Sequence, residues 1–148
     1  PHPKPLELPA TVNAVIASLS GLIESRGIRV ERKYSEAIAP LKADGELLEL
    51  ALRNILINAL EAMPSGGTLT ISICSQPGGL LLSIKDTGTG IRSEDLPNIF
   101  DPFFTSKTQG SGLGLTAVHR VIYDHSGDIV VDSAPGEGTE VRIRLPNR

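Results

Sequence analysis

The sequence is poor in cysteine, in long apolar runs and in net charge, and each shortage excludes a class of protein. Its single cysteine, Cys74, excludes an internal disulfide and a zinc site built from cysteines, so we expect a reduced, cytoplasmic setting. No apolar run approaches the ~18 residues of a membrane-spanning helix, and we expect no signal peptide at the start of the chain. We therefore expect no membrane contact by this domain, whether or not a longer parent protein is anchored in a membrane.

An excess of positive charge is also absent. The chain carries 14 Lys and Arg against 17 Asp and Glu, and its net charge of −3 argues against a general nucleic-acid binder. Any anion must then be held by local geometry or by a metal. The remaining composition, 40% hydrophobic over 148 residues, suits one globular domain with its own core. We expect a single domain over residues 1–148, with the Pro-rich residues 1–5 as a linker from a missing upstream segment.

Hydrophobic periodicity predicts both helices and strands. Gly27 should stop the first helix, Asp44 should precede the second, and Gly127 should close the third. The predicted helices are residues 11–26, 46–63 and 113–125, and the predicted strands are 6–8, 28–34, 68–74, 80–86, 128–133 and 139–145. Because the helices are few and the later strands are consecutive, we expect a two-layer α+β sandwich. Its mixed, mostly antiparallel sheet would pack on about three helices.

A run of alternating glycines, GSGLGL, stands directly before the third predicted helix. Gly110, Gly112 and Gly114 would let a ligand approach the main chain, and the helix N-terminus offers unpaired N–H groups. This combination suits a phosphate-binding loop. The spacing is neither GxxxxGK[ST] nor GxGxxG, so a flexible glycine linker is an equally good interpretation of this stretch alone.

The segment DTGTGI, residues 86–91, follows a predicted strand. A carboxylate fixed at Asp86 beside two glycines would suit the exocyclic amine of a flat base such as adenine. A tight Asp-Gly turn explains the same residues.

Two asparagines, Asn54 and Asn58, are four residues apart within an otherwise apolar helix. Asparagine is a poor helix former, so the pair needs a reason. An amide oxygen is a suitable ligand for Mg²⁺ that also carries phosphate oxygens and water. The alternative is two asparagines on a solvated helix face.

The segment IFDPFFTSK, residues 99–107, holds all three phenylalanines of the chain in a region without periodicity. A hydrophobic cluster under a long loop would explain it. Because the aperiodic stretch at 92–112 is long for a loop, a mobile lid is the functional interpretation, and Lys107 would move with it.

These four segments, in this order, resemble the nucleotide-binding boxes of bacterial sensor histidine kinases. That branch shares a superfamily with type II topoisomerases, heat-shock chaperone ATPases and mismatch-repair ATPases. The boxes are LRNILINALEA, DTGTGI, IFDPFFTSK and GSGLGL, and the resemblance covers about residues 6–145. The PFFTSK form with its short gap to GSGLGL looks most like the nitrogen-regulation type.

The resemblance implies a Bergerat-type fold, ATP and Mg²⁺ as ligands, and transfer of the γ-phosphoryl group to a histidine outside this chain. That histidine would lie on a dimerisation hairpin upstream of residues 1–5 and would pass the phosphoryl group to a response regulator. Carried over by position, Asn58 would be the metal ligand, and Asn58 and Lys107 would be catalytic. The implied ATP-binding residues are Asn54, Asn58, Asp86, Gly88, Gly90, Ile91, Phe100, Lys107, Gly110, Ser111, Gly112, Leu113, Gly114, Leu115 and Thr139.

Two positions qualify the resemblance. Many of these kinases carry Lys three residues after the metal asparagine, whereas this chain has Glu61, an acid that repels a triphosphate unless it turns away or binds the metal shell. Hydrolytic relatives carry Glu four residues before that asparagine, where this chain has Asn54. An amide cannot act as a general base at neutral pH, so water attack is disfavoured.

Two other functions stay open from the sequence: a serine kinase of the same superfamily that acts on a regulatory partner, and an ATP-sensing module without phosphotransfer. The segment IFDPFFTSK argues against the first and the intact boxes argue against the second. We expect His2, His119 and His125 to be structural or surface residues, because none is followed by the Glu or Asp typical of a phosphoacceptor histidine.

Overall fold

The computed structural model describes residues 1–101 and 114–147, and within them two sheets and four α-helices. The main sheet contains β2 (Ile28–Tyr34), β4 (Gly67–Gln76), β5 (Gly79–Asp86), β6 (Asp128–Ala134) and β7 (Gly138–Pro146) in the order β2-β4-β5-β7-β6. Among these described strands, only β2 and β4 pair in parallel. A smaller antiparallel pair joins β1 (Lys4–Leu6) to β3 (Leu41–Ala43).

The helices are α1 (Leu8–Ser18), α2 (Ser20–Ser25), α3 (Gly45–Glu61) and α4 (Gly114–Asp124), with a short 3-10 turn at Leu96–Asn98. Helix α3 packs on α1, on α4 and on β5. Alternate residues of the central strands, such as Ile71, Ile73, Leu82 and Ile143, are fully buried. The predicted two-layer sandwich of a mixed, mostly antiparallel sheet and helices is confirmed.

Two local predictions near the N-terminus differ from the structure. Residue Leu8 begins α1 instead of ending a strand, because Pro9 falls in the first helical turn, where its missing N–H costs nothing. The predicted helix 11–26 is interrupted at Leu19, before Ser20 and Gly21, residues of low helix propensity. The predicted stop at Gly27 is confirmed, since this glycine takes a left-handed φ of 65°.

The start of α3 is anchored by three parts of the chain. Asp44 caps the helix, and its Oδ1 accepts the N–H of Leu47 at 3.2 Å. Its other oxygen accepts the N–H of His2 at 2.7 Å, and its own N–H donates to Nε2 of His125 at 3.0 Å. Because Nδ1 of His125 lies 2.8 Å from the carbonyl of Val121, this histidine holds α4 against α3. These contacts give His125 a structural role.

Part of the predicted lid lies within the described residues. Residues 92–101 contain the 3-10 turn, and Ile99 is almost fully buried. Residues 102–112 of the predicted lid, including Lys107, Gly110 and Gly112, lie outside the described residues. Across the part of the chain that the structure does describe, no helix is long and apolar enough to cross a membrane.

Candidate functional site

A cavity of about 530 Å³ opens between α3, the loop after β5 and the β6–β7 hairpin. Its size is within the roughly 300–1,000 Å³ range of ligand pockets. The walls are mainly apolar, with a small number of polar groups among them. The polar side chains in the lining are those of Asn58, Glu61, Asp86, Thr89, Arg92, Asp95 and Thr139. Such a lining suits an apolar or flat ligand whose orientation is set by few polar contacts.

Asp86 is the last residue of β5 and lies against this cavity while only 5% exposed. Its Oδ1 accepts the N–H of Gly88 at 2.8 Å. Burial raises the pKa of the Asp86 carboxyl above its ordinary value of 3.8, and the backbone N–H groups of Gly88 and Thr139 oppose that rise. When ionised, the carboxylate can only accept hydrogen bonds. It therefore offers a fixed acceptor to a ligand amine.

Gly88 lets the loop after β5 pack against the end of α3. A Cβ at this position would overlap the carbonyl oxygen of Ala62. The next residue, Thr89, donates its N–H to that same oxygen at 3.0 Å. Gly88, expected to line a base, is placed against Ala62, and its contact with a base stays a prediction. Because Gly88 has no side chain, the loop that follows Asp86 can pack directly against the end of α3.

Gly90 and Ile91 tie the same loop to the last hairpin. Ile91 donates its N–H to Oγ of Ser133 at 2.8 Å, and Ser133 Oγ lies 2.7 Å from Oγ1 of Thr139. Gly90, Ile91 and Thr139 all line the cavity, and their contact with a nucleotide stays a prediction. The role of Ser133 was missed, because only the β6–β7 register, in which Ser133 pairs with Thr139, brings the two hydroxyls together.

Replacement of Gly90 by alanine is expected to destabilise the fold. Gly90 has a φ of 76°, and a Cβ there would overlap the carbonyl oxygen of Ala134. We expect a loss of about 2–4 kcal/mol in the free energy of unfolding, from left-handed strain together with overpacking. Urea denaturation measures it.

The matched control is Gly136→Ala, since Gly136 has a φ of 77° and a Cβ there would meet no atom within 4 Å. It should lose only about 1–2 kcal/mol. Equal losses in the two variants would show that the contact with Ala134 is unimportant.

Helix α3 presents Asn58 and Glu61 to the cavity. Asn58 is half-buried. Asn54 lies one turn earlier, is also half-buried, and does not line the cavity. Oε1 of Glu61 is fully buried and has no hydrogen-bond partner among the residues that the structure describes. The amide and the carboxylate together form an oxygen-rich patch on one helix face.

The described part of the IFDPFFTSK segment docks on α4. The ring of Phe100 lies 5.2 Å from the ring of His119, and its carbonyl accepts the hydroxyl of Thr116 at 2.9 Å. Phe100 therefore packs on α4 next to the cavity wall, whereas Ile99 and Leu115 line the cavity itself. Gly114 is the first residue of α4. The predicted site residues Lys107, Gly110, Ser111, Gly112 and Leu113 lie outside the described residues.

The donor chemistry of the lining fits a divalent cation that arrives with its ligand. Within residues 1–101 and 114–147, no group of three or more His, Cys, Asp or Glu side chains could hold a metal ion alone. Mg²⁺ is commonly held by one or two protein oxygens together with phosphates and waters. The Asn58 amide and the unpartnered Glu61 oxygen are suitable oxygens for such a shared site.

The fold and the cavity define a ligand-binding α/β sandwich, and comparison with known proteins identifies the family. Residues 43–148 match the family described as histidine kinase-, DNA gyrase B-, and HSP90-like ATPase. The chain belongs to this family, and as an ATPase-type domain it binds ATP.

Individual relatives place the chain among sensor kinases. It is 31% identical over 141 residues to the sensor histidine kinase ZraS of Escherichia coli (strain K12), covering 95% of this chain and 30% of that protein. It is 37% identical to the signal transduction histidine-protein kinase AtoS of the same organism, covering 92% of this chain and 23% of that protein. The chain therefore spans less than a third of these curated relatives.

Solved structures of histidine kinases also match the fold of this chain. The nucleotide-free catalytic domain of histidine kinase ThkA matches with a TM-score of 0.89 and 27% identity, covering 98% of this chain and 95% of that domain. Full-length ShkA in complex with AMPPNP matches with a TM-score of 0.86 and 26% identity, covering 98% of this chain and 31% of that protein. In fold and extent, the chain corresponds to the catalytic domains of histidine kinases, as the sequence predicted.

Proposed function

We propose that this domain binds Mg-ATP in the cavity and transfers its γ-phosphoryl group to a histidine on a separate helical hairpin of the parent kinase. A response regulator would then receive the phosphoryl group. The observation that carries the proposal is the placement of buried Asp86 and of Asn58 on the walls of one cavity. The kinases named above and the AMPPNP complex of ShkA support it.

Asp86 would accept the exocyclic amine of adenine. The Ser133 and Thr139 hydroxyls lie 2.7 Å apart beside it, and Thr139 would hold a water between the base and the carboxylate. Gly90 and Ile91 would lie along the ring, because both line the cavity and no side chain projects from Gly90. Guanine presents a carbonyl where adenine presents the amine, so the acceptor would reject guanine nucleotides.

Asn58 would ligate Mg²⁺ through its amide oxygen, and the metal would supply charge neutralisation to the phosphates. The phosphates themselves would be held by Gly110, Gly112 and Gly114 and by the N-terminus of α4. Ser111, Leu113, Leu115 and Phe100 would shape that region. Lys107 would place a positive charge near the phosphoryl group and stabilise its negative charge during transfer.

Transfer needs no base from this domain. The lone pair of a neutral imidazole nitrogen forms the new P–N bond while the bond to the bridging oxygen breaks, leaving ADP. Water would need a residue to orient it, and Asn54 carries only an amide. The domain would therefore preserve ATP until a histidine is presented. Because ATP is abundant in the cytoplasm, we place the domain there.

The proposal predicts that label from [γ-³²P]ATP appears on a supplied hairpin and not on this domain. The ring of His119 packs against that of Phe100, and His125 is engaged with Asp44, so we expect neither to receive the γ-phosphoryl group. The measurement is gel autoradiography of the domain alone and of the domain mixed with the parent hairpin, with phosphate release followed in parallel. The hairpin with its acceptor histidine replaced by alanine is the control. Label on the domain, or rapid phosphate release without the hairpin, would indicate a hydrolase.

A further inference from the structure

Glu61 lines the ATP cavity and has one buried carboxylate oxygen, and the function proposed so far does not use this side chain. Oε1 of Glu61 is inaccessible to solvent and accepts no hydrogen bond within the described residues. Glu61 also lines the cavity. A buried acceptor left unpaired is costly, and native folds leave few of them without a ligand, ion or water. Because Glu61 lines the cavity, a ligand that binds there would meet its carboxylate.

The position of Glu61 along α3 shows which part of a nucleotide it would meet. It lies three residues after Asn58, on the same helix face. The following residue, Ala62, contacts Gly88 and accepts the N–H of Thr89. Glu61 therefore lies between the loop that carries Asp86 and the residue that would bind the metal. In the proposed binding mode, this stretch of the cavity would lie next to the phosphates and their cation.

The excess of negative charge in the cavity lining disfavours a nucleotide that lacks a cation. Among the described lining residues, the carboxylates of Glu61, Asp86 and Asp95 outnumber the one guanidinium, that of Arg92. Arg92 is already paired with Asp95, with Nε 3.0 Å from Oδ2. A metal-free triphosphate would meet repulsion here, because like charges interact strongly where solvent is partly excluded.

We propose that Glu61 is a specificity-determining residue that makes the site accept nucleotide only with its divalent cation. The carboxylate repels a bare polyphosphate and accepts a hydrogen bond from a water on Mg²⁺, which keeps several waters when it binds. Two residues of α3 would then distinguish Mg-ATP from metal-free ATP. Asn58 would ligate the metal, and Glu61 would repel nucleotide that lacks it. This inference rests on the proposed binding of Mg-ATP.

The test is the ratio of dissociation constants for ATP in excess EDTA and in excess Mg²⁺, measured by calorimetry on the wild-type domain and on Glu61→Gln. We expect this ratio to fall by about 10- to 100-fold in Glu61→Gln. The variant loses the negative charge that repels metal-free ATP, and it also loses the charge-assisted hydrogen bond to a water on Mg²⁺. The matched control is Glu49→Gln, the same change on the solvent side of α3, where the Glu49 side chain is 47% exposed. It should leave the ratio unchanged.

The affinity for adenosine distinguishes an effect of the Glu61 charge from a change in the shape of the cavity. It has no phosphate, so its affinity should be the same in wild type and Glu61→Gln. A weaker affinity for adenosine would place Glu61 on the ribose and overturn the inference, as would an unchanged ATP ratio. If Glu61→Gln fails to fold, Glu61→Lys should bind metal-free ATP more tightly than wild type, and equal or weaker binding would again overturn it. Wild-type protein that binds neither form of ATP would instead defeat the proposed function.

Discussion

The Asp86→Asn variant is expected to bind Mg-ATP about 10- to 100-fold more weakly than wild type. The substitution removes a charge-assisted hydrogen bond to the adenine amine, worth roughly 1.5–3 kcal/mol, and about 1.4 kcal/mol is a factor of ten in affinity. Calorimetric titration with Mg-ATP and Mg-GTP measures the effect. Wild type should prefer ATP, and the variant should lose most of that preference.

The same variant should gain stability while it loses affinity. Because burial raises the pKa of Asp86 above 3.8, the protonated form is favoured in the fold, and the ionised carboxylate costs free energy above the raised pKa. Asparagine carries no charge at any pH. Asp86→Asn should therefore melt at a higher temperature than wild type at pH 7, and the difference should close as the pH falls through the raised pKa to below 3.8.

The control for both measurements is Asp128→Asn, because Asp128 is 64% exposed and pairs with Arg144 on the far side of the sheet. It should leave ATP affinity unchanged. Wild-type affinity for ATP in Asp86→Asn, or equal affinity of wild type for GTP, would refute the adenine assignment. A lower melting temperature for Asp86→Asn at pH 7 would show that its hydrogen bonds outweigh its burial.

The Asn58→Ala variant is expected to lose phosphotransfer to the hairpin by at least about 100-fold. Changes in the outer shell of a metal site already cost about 10- to 100-fold, and Asn58 would be a direct ligand. Single-turnover labelling of the hairpin at saturating Mg-ATP measures the loss. Because alanine is the better helix former by up to about 0.7 kcal/mol, the variant should fold at least as well as wild type.

The control for Asn58→Ala is Glu49→Ala, on the solvent-exposed side of the same helix. It should transfer phosphate at the wild-type rate. Transfer at that rate by Asn58→Ala would instead make Asn58 a helix-surface amide. Weaker binding of ATP to Asn58→Ala is expected only when Mg²⁺ is present, which separates loss of a metal ligand from damage to the cavity.

The sequence by itself determined the architecture and indicated candidate residues for the site. Strand β2, the hairpin of β4 and β5, and helix α3 lie close to their predicted bounds, because alternation and helical periodicity are local patterns that record which side of an element is buried. Asp44 was correctly placed before α3, since a cap acts on the N–H groups that immediately follow it. Asp86 and Asn58 were also recognised as candidates from their positions at the end of a strand and within an apolar helix.

Only the tertiary structure decided how those residues meet. The three-residue strand β3 is too short to show a period and exists because it pairs with β1. Gly88 packs against Ala62, which is distant in sequence. The burial of Asp86, the contact between Ser133 and Thr139, and the unpaired oxygen of Glu61 depend on how α3, β5 and the last hairpin pack together. Periodicity specifies which face of an element is apolar, whereas the partner across that face is set by long-range packing.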